Sequence, residues 1–452
     1  MSIVKVDFSN IVKPVKPVHG VCCAPYVQSG TQPHVEKYFK EGNIPYCRLH
    51  DCMGDYGGSY FVDVTNVFPN FDADETNPEN YDFTFTDDYI GTIQKSGCEA
   101  YYRLGETIEW GIEKRRTQPP KDFSKWARIC EHIIAHYNKG WANGFFYNIK
   151  YWEIWNEPDC IKVEDGRGSM WQTTDEEFFR LYKTASKHLK EKFPEIKIGG
   201  YSSCGFYYAF RETFHPDIEY HPGVKKYITF FHNFLEMAKN ENCPLDFFSW
   251  HLYSNNVDEM LAYAKYAREN LDRYGFTQTE CHLNEWNINA EGHGFRDKHT
   301  AVGASFNAAV LAQMQHTNDI DLATYYCFSN RAIYNGFLDQ NDGSVGPAWY
   351  PFVAFGKLYA LGTEVETHTD TKGIYAVAAA KGTESAIMVS NYRADCDRVT
   401  VCFSGLEENK KACVKFIDDD RFFTEEMYVT VPVNGELSFK LPNHTTAFIE
   451  FN

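Results

Sequence analysis

Two glutamates stand in tryptophan-bearing motifs far apart in the chain. Glu157 lies in Glu153-Ile154-Trp155-Asn156-Glu157-Pro158, and Glu285 in Leu283-Asn284-Glu285-Trp286-Asn287. Each closes a short apolar run with the texture of a buried strand, so each carboxyl is expected to face a pocket rather than bulk water. Two carboxyl groups facing each other across a glycosidic bond are the minimum equipment for glycoside hydrolysis, one to protonate the leaving oxygen and one to attack the anomeric carbon. A single glutamate in an apolar segment is more often a paired structural residue. Two such elements about 130 residues apart leave room for about three or four strand–helix units of roughly 30 residues between them. The chemistry expected is that of a retaining glycosidase.

The elements that must position these groups are legible. From Gly20 to Gly362, short apolar runs alternate with helical patterns. Strands are predicted at Gly20–Ala24, Tyr46–His50, Ala100–Leu104, Tyr151–Trp155, Ile196–Tyr201, Phe247–His251, Cys281–Glu285 and Ala323–Phe328. Eight strands alternating with helices describe a (β/α)8 TIM barrel, an α/β fold. Thr174-Asp175-Glu176-Glu177 reads as a capping box, followed by a core-facing stripe of Phe178, Leu181, Tyr182, Ala185 and Leu189. Trp126, Ile129, Cys130, Ile133 and Tyr137 form a second stripe, and Met260, Leu261, Ala264, Ala267 and Leu271 a third.

After Gly362 the helical stripes stop. Ile374–Ala380, Ser385–Ser390, Arg398–Phe403, Ala412–Phe416, Tyr428–Val431 and Ala447–Phe451 are short, β-rich and separated by Gly, Asn, Asp or Pro turns. They predict an all-β sandwich, which the N-terminal segment Ile3–Phe8 would complete. The domains expected are a catalytic barrel over 18–362 and an accessory β-sandwich made of 1–17 plus 363–452.

Composition narrows the function. A net charge of -18 without a basic cluster repels a nucleic-acid backbone. No run approaches the ~18 apolar residues of a membrane span, and the opening residues carry no signal-like apolar core, so a cytoplasmic location is expected. Fourteen cysteines fall partly inside strands, where free thiols behave as small apolar side chains. No CxxC pair or His/Cys spacing marks a zinc site, and no metal or cofactor is expected. Aromatic residues make up 16% of the chain, which suits sugar stacking, although most of these rings belong to the core. The partner expected is an oligosaccharide or glycoside, with a homo-oligomer left open.

Functional groups in such barrels gather at the C-terminal ends of the strands. The second strand ends in Arg48-Leu49-His50-Asp51, the fourth in Asn156-Glu157, the sixth in His251-Leu252-Tyr253 and the seventh in Glu285-Trp286-Asn287. With the barrel-plus-sandwich plan, this set resembles glycoside hydrolase family 39 in clan A of the retaining glycosidases, a family of β-xylosidase-like and α-L-iduronidase-like enzymes. The likeness spans essentially the whole chain, and family 51 arabinofuranosidases share much of it. It implies Glu157 as acid/base, with a raised pKa, and Glu285 as the nucleophile, kept ionised by Arg48 and by a hydrogen bond from Tyr253. Asn156 would hold the sugar 2-hydroxyl, which binds more tightly as oxocarbenium character develops. His50, His251 and Trp286 would line the sugar subsite. The bland alternatives are a buried ion pair for Arg48 and satisfied core positions for the histidines. Glu106, after the third strand, is equally suited to touching substrate or to ordering its loop.

The eighth strand departs from the family. Where the family carries a tryptophan and then an acidic residue, this chain reads Tyr325-Tyr326-Cys327-Phe328-Ser329-Asn330. Tyr326 and Asn330 are therefore expected as substitute sugar contacts, and Arg331 or Arg103 as partners for an acidic sugar. The activity expected is exo-acting release of a pentose or uronic-type sugar from short oligosaccharides. The alternatives are an α-L-arabinofuranosidase, an endo-acting enzyme, and, from another class, a carbohydrate-binding protein on a disabled barrel. A barrel lyase or isomerase would need a metal or a lysine or histidine base, and the sequence identifies none.

Overall fold

The computed structural model describes residues 1–451 apart from 25–34, 53–59, 110–112, 161–169, 221, 289–296, 330–335, 340–341, 407–409 and 432–434. Asn330 and Arg331 therefore lie outside the described residues.

Eight parallel strands close into a barrel in chain order. They are β2 (Gly20–Cys22), β3 (Tyr46–Leu49), β4 (Glu99–Leu104), β5 (Tyr151–Ile154), β6 (Lys197–Ser203), β7 (Phe247–Tyr253), β8 (Glu280–Asn287) and β9 (Leu322–Tyr325). Closure comes from the β2–β9 pair, with Val21 opposite Tyr325. β2, β5 and β9 are buried along their full length, the reason the sequence reads as short continuous apolar runs rather than alternation.

The helices between them start and stop on local chemistry. The helix Phe123–Lys139 is capped by Asp122, which accepts from the amides of Ser124 and Lys125, and it ends at Gly140 with φ 74°. The hydroxyl of Thr174 accepts from Glu177 N at the start of Asp175–Lys192, as the capping box requires. Phe178, Leu181 and Leu189 on this helix are fully buried, each contributing about 1.5–3 kcal/mol relative to exposure. In the helix Val257–Tyr274 the stripe is rotated slightly from expectation: Tyr263 is buried and Leu261 only half-buried.

The remaining strands form one sheet of nine. β1 (Ser2–Pro14) lies between β10 (Thr363–Thr369), antiparallel, and β13 (Arg398–Ser404), parallel. β11 (Ile374–Lys381), β12 (Glu384–Asn391), β14 (Lys411–Ile417), β15 (Phe422–Thr430), β16 (Glu436–Lys440) and β17 (Thr445–Phe451) complete it. Rings from strands distant in the sheet meet in a separate core, Phe8 and Phe403 against Phe451 and Phe416 against Phe439. The expected sandwich is thus one sheet folded over its own core. β10 and β16 were not foreseen. Thr363–Thr369 has a single aliphatic residue, and Glu436–Lys440 only a brief alternation around Leu437 and Phe439.

The helix Ala301–His316 joins the two cores. It is buried nearly all round, as a helix without a polar face must be. Ser390 Oγ donates to its Ser305 carbonyl at 2.9 Å, and His316 Nδ1 lies 2.7 Å from Glu364 Oε1. No described helix is long and apolar enough to cross a membrane.

Candidate active site

Arg48 occupies the centre of the barrel mouth, fully buried. Its guanidinium donates from Nε to Glu153 Oε2 (2.8 Å), from Nη1 to Glu285 Oε2 (3.1 Å), and from Nη2 to Asn156 Oδ1 (2.6 Å) and Ser202 Oγ (2.7 Å). Burial opposes its charge, but the carboxylates of Glu153 and Glu285 reverse that and hold it cationic. Glu153 also accepts from Ser249 Oγ and Asn284 Nδ2, both at 2.6 Å. One carboxylate is therefore consumed in neutralising and orienting the arginine, as a buried ion must be. The other, Glu285, faces the cleft.

Glu285 and Glu157 meet the same imidazole. His251 Nδ1 lies 2.7 Å from Glu157 Oε1, and His251 Nε2 lies 3.3 Å from Glu285 Oε2 and 2.9 Å from Ser202 Oγ. Their environments differ. Burial pushes the Glu157 carboxyl up to about 7, against the hydrogen bond from Cys204 and the charge of Arg48. Burial and the nearby Glu157 carboxyl raise Glu285, while the charge of Arg48 and the Tyr253 hydroxyl, which donates to Glu285 Oε1, act against that. Burial lowers His251 to about 4, so its ring is neutral at ordinary pH.

Local backbone irregularities aim these groups. Between the pairs Trp250–Leu283 and His251–Glu285 the β7–β8 register shifts by one residue. Asn284 is the extra residue, so Asn284 and Glu285, although adjacent, both reach inward; this is how a bulge re-aims side chains. A second shift between β6 and β7 brackets Ser202. Asp51, Trp155, Glu157 and Ser202 all have positive φ (54°, 72°, 47° and 60°). Such backbone costs about 1–3 kcal/mol per residue and tends to cluster at functional sites.

The model of glycosyl hydrolases family 39 matches residues 3–345. The chain belongs to that family. A β-xylosidase of Caldicellulosiruptor saccharolyticus is 22% identical over 428 residues, 85% of this chain and 78% of that protein. A β-xylosidase of Geobacillus stearothermophilus is 21% identical over 328 residues, 66% of this chain and only 56% of that protein. Among solved structures, a glucosidase from Croceicoccus marinus superposes with a TM-score of 0.81 at 20% identity, covering 100% of this chain and 99% of its own.

Within this family 39 barrel, Arg48, Asn156, Glu157, His251, Tyr253 and Glu285 come together in one hydrogen-bonded cluster. His50 joins the wall: its Nε2 lies 3.5 Å from Asp51 Oδ1, and Tyr326 donates to Asp51 Oδ2 at 2.5 Å. Trp286 does not reach the cleft. It is fully buried on the opposite face of β8, against Tyr325, Phe352 and Phe306, because residues next to one another on a strand point to opposite faces. It does not line the sugar subsite as expected.

The third-strand residues bond to neighbouring loops. Arg103 is buried, and its Nη2 donates to Asp63 Oδ1 at 2.6 Å. Glu106 accepts from Thr65 N and Oγ1, ordering its loop. Burial and the Asp63 charge push its carboxyl up to about 8. Sequence reasoning missed Glu153, Ser202, Ser249, Asn284 and Asp51. A charged residue inside the apolar run Tyr151-Trp152-Glu153-Ile154 was a usable signal; the serines offered none.

Proposed function

We propose that the protein is a retaining exo-glycosidase acting by double displacement, with Glu157 as acid/base and Glu285 as nucleophile. The observation that carries this is the pair of carboxyls on opposite nitrogens of His251, one pushed up to about 7 and one held by a cation and a phenol. Double displacement needs the two carboxyls about 5–5.5 Å apart, whereas an inverting enzyme separates them by about 6.5–9.5 Å to admit a water.

In the first step the Glu285 carboxylate bonds to the anomeric carbon while Glu157 gives its proton to the departing oxygen. In the second, Glu157 takes a proton from water, which attacks the glycosyl-enzyme and frees Glu285. The tautomer with hydrogen on His251 Nε2 fits these roles, because it donates toward Glu285 and accepts at Nδ1 from protonated Glu157. Asn156 Nδ2 is buried without a hydrogen-bond partner among the described residues, while its Oδ1 is fixed by Arg48. That leaves an oriented donor for a sugar 2-hydroxyl, an interaction that strengthens in the transition state.

The substrate class we favour is a short oligosaccharide with a terminal pentose or uronic-type sugar, as the two β-xylosidase relatives suggest. An α-L-arabinofuranoside, an endo-cleaved chain and non-catalytic carbohydrate binding are the competing readings. Tyr326, whose hydroxyl donates to Asp51, and Asn330 are the proposed sugar contacts that depart from the family pattern. The deciding experiment compares nitrophenyl β-xyloside, β-glucoside, α-L-arabinofuranoside and uronide, following the anomer released by NMR. A product of inverted configuration overturns the mechanism. Turnover of none of these overturns the exo reading, and binding without turnover of any glycan leaves the binding-protein alternative in its place.

A further inference from the structure

The end of β5 and the end of β6 each carry a thiol beside the proposed acid/base. Cys160 lies three residues beyond Glu157, and Cys204 follows β6. One Sγ from each and a carboxylate oxygen of Glu157 all lie within 4.8 Å of one another. Both cysteines are half-buried, and the Glu157 side chain is 15% exposed, so the group opens toward the cleft.

The arrangement is built rather than accidental. Asp159, fully buried, clamps the two loops together: it accepts from Ser203 Oγ at 2.7 Å and from Cys204 N at 3.1 Å. Cys160 N donates to the Glu157 carbonyl (3.0 Å), and Glu157 N to the Ser202 carbonyl (2.9 Å). Cys160 takes no part in the glycosidase chemistry derived above, and Cys204 enters it only through its hydrogen bond to Glu157. No spacing in the sequence marks the pair, since they come from separate strand ends.

We propose that Cys160, Cys204 and Glu157 form a binding site for a thiophilic divalent cation such as Zn²⁺, and that its occupation switches the enzyme off. Two thiolates and one carboxylate leave a fourth tetrahedral position for water, a donor set that selects soft or borderline ions over Ca²⁺ and Mg²⁺. Binding at about 2.3 Å from sulfur and about 2.0–2.2 Å from oxygen draws the three side chains slightly together. The ion then keeps the Glu157 carboxylate ionised, so it has no proton to give the leaving group. The inhibitory part of this inference rests on the acid/base role proposed for Glu157; the ion site itself does not.

The test titrates the reduced, metal-free protein with Cd²⁺ and follows two readouts. One is the ultraviolet charge-transfer band of cadmium thiolate. The other is hydrolysis of a glycoside with a poor leaving group. The expected result is a band that saturates at one ion per chain, activity falling in parallel by at least about 10-fold, and reversal of both by EDTA. Zn²⁺ should inhibit in the same way, and Ca²⁺ or Mg²⁺ should not. Cys160→Ser should keep the basal activity while weakening Cd²⁺ affinity by at least about 10–100-fold, the scale on which even outer-shell changes act; Cys160→Ala serves as the second variant. A band and inhibition unchanged in both variants overturn the site. A band at one ion per chain with full activity overturns the capture of Glu157. If the untreated protein hydrolyses no glycoside, the functional reading has failed, and the band in wild type against Cys160→Ser still decides the ion site.

Discussion

His251 and Glu285 stand opposite one another in the register of β7 and β8, with Nε2 3.3 Å from Oε2. The other nitrogen of the same ring touches Glu157. The imidazole therefore acts as a fixed spacer between two carboxyls that arrive from strands on different parts of the barrel. Its neutrality above pH about 4 keeps it from drawing both into ion pairs.

Glu285→Ala should reduce kcat by on the order of 10⁴-fold or more, the scale for losing a nucleophile. Added azide or formate should restore part of the rate by filling the space left by the carboxylate. The product should then have the opposite anomeric configuration, read by NMR. A mutant with near-wild-type turnover would remove Glu285 from the reaction.

Glu157→Ala should cost about 10²–10⁴-fold on glycosides with poor leaving groups, the usual worth of general acid catalysis. A dinitrophenyl glycoside needs little protonation, so its first step should survive and a burst of phenolate should precede slow hydrolysis. Equal losses on both substrates would argue against the acid role.

The pH profile follows from the same two groups. The acid must be protonated and sits near pH 7, so kcat/KM should fall as pH rises through about 7. The nucleophile must be ionised, and its carboxyl is raised above the ordinary range. The acidic limb should therefore lie above pH 4.5, the ordinary glutamate value. In Glu157→Ala the basic limb should vanish and the acidic limb remain; persistence of the basic limb would assign it elsewhere.

Tyr253→Phe removes the phenol that donates to Glu285. A hydrogen bond to a charged group is worth about 1.5–3 kcal/mol, so kcat/KM should drop roughly 10–150-fold. The carboxylate loses a stabilising donor, so the acidic limb should move to higher pH. A drop without movement of that limb would make the phenol a substrate contact instead.

Arg48→Ala leaves Glu153 buried and without its cation. Breaking such a pair destabilises by about 3–5 kcal/mol, which denaturant unfolding would register along with lost activity. A loss below about 1 kcal/mol would show that Ser249 and Asn284 satisfy Glu153 without the arginine.

The sequence by itself determined the barrel, the two catalytic candidates and most of the polar ring around them. Buried parallel strands must be continuously apolar, so a glutamate closing such a run stands out. Helices announce themselves through caps such as Thr174 and stripes such as Phe178 to Leu189. What needed tertiary structure was direction and partnership. Whether Trp286 or its neighbour faces the cleft depends on strand register, and the bulge at Asn284 alters that register locally. Arg103 and Arg48 look alike on paper, each in an apolar strand. Only the fold shows that Asp63 occupies one, while the other reaches past Glu153 to Glu285. Cys204, on a separate strand end, becomes a neighbour of Cys160 and Glu157 only in the fold, where Asp159 bonds to Ser203 and Cys204. Periodicity is a property of neighbours in the chain; a charge network is a property of neighbours in space.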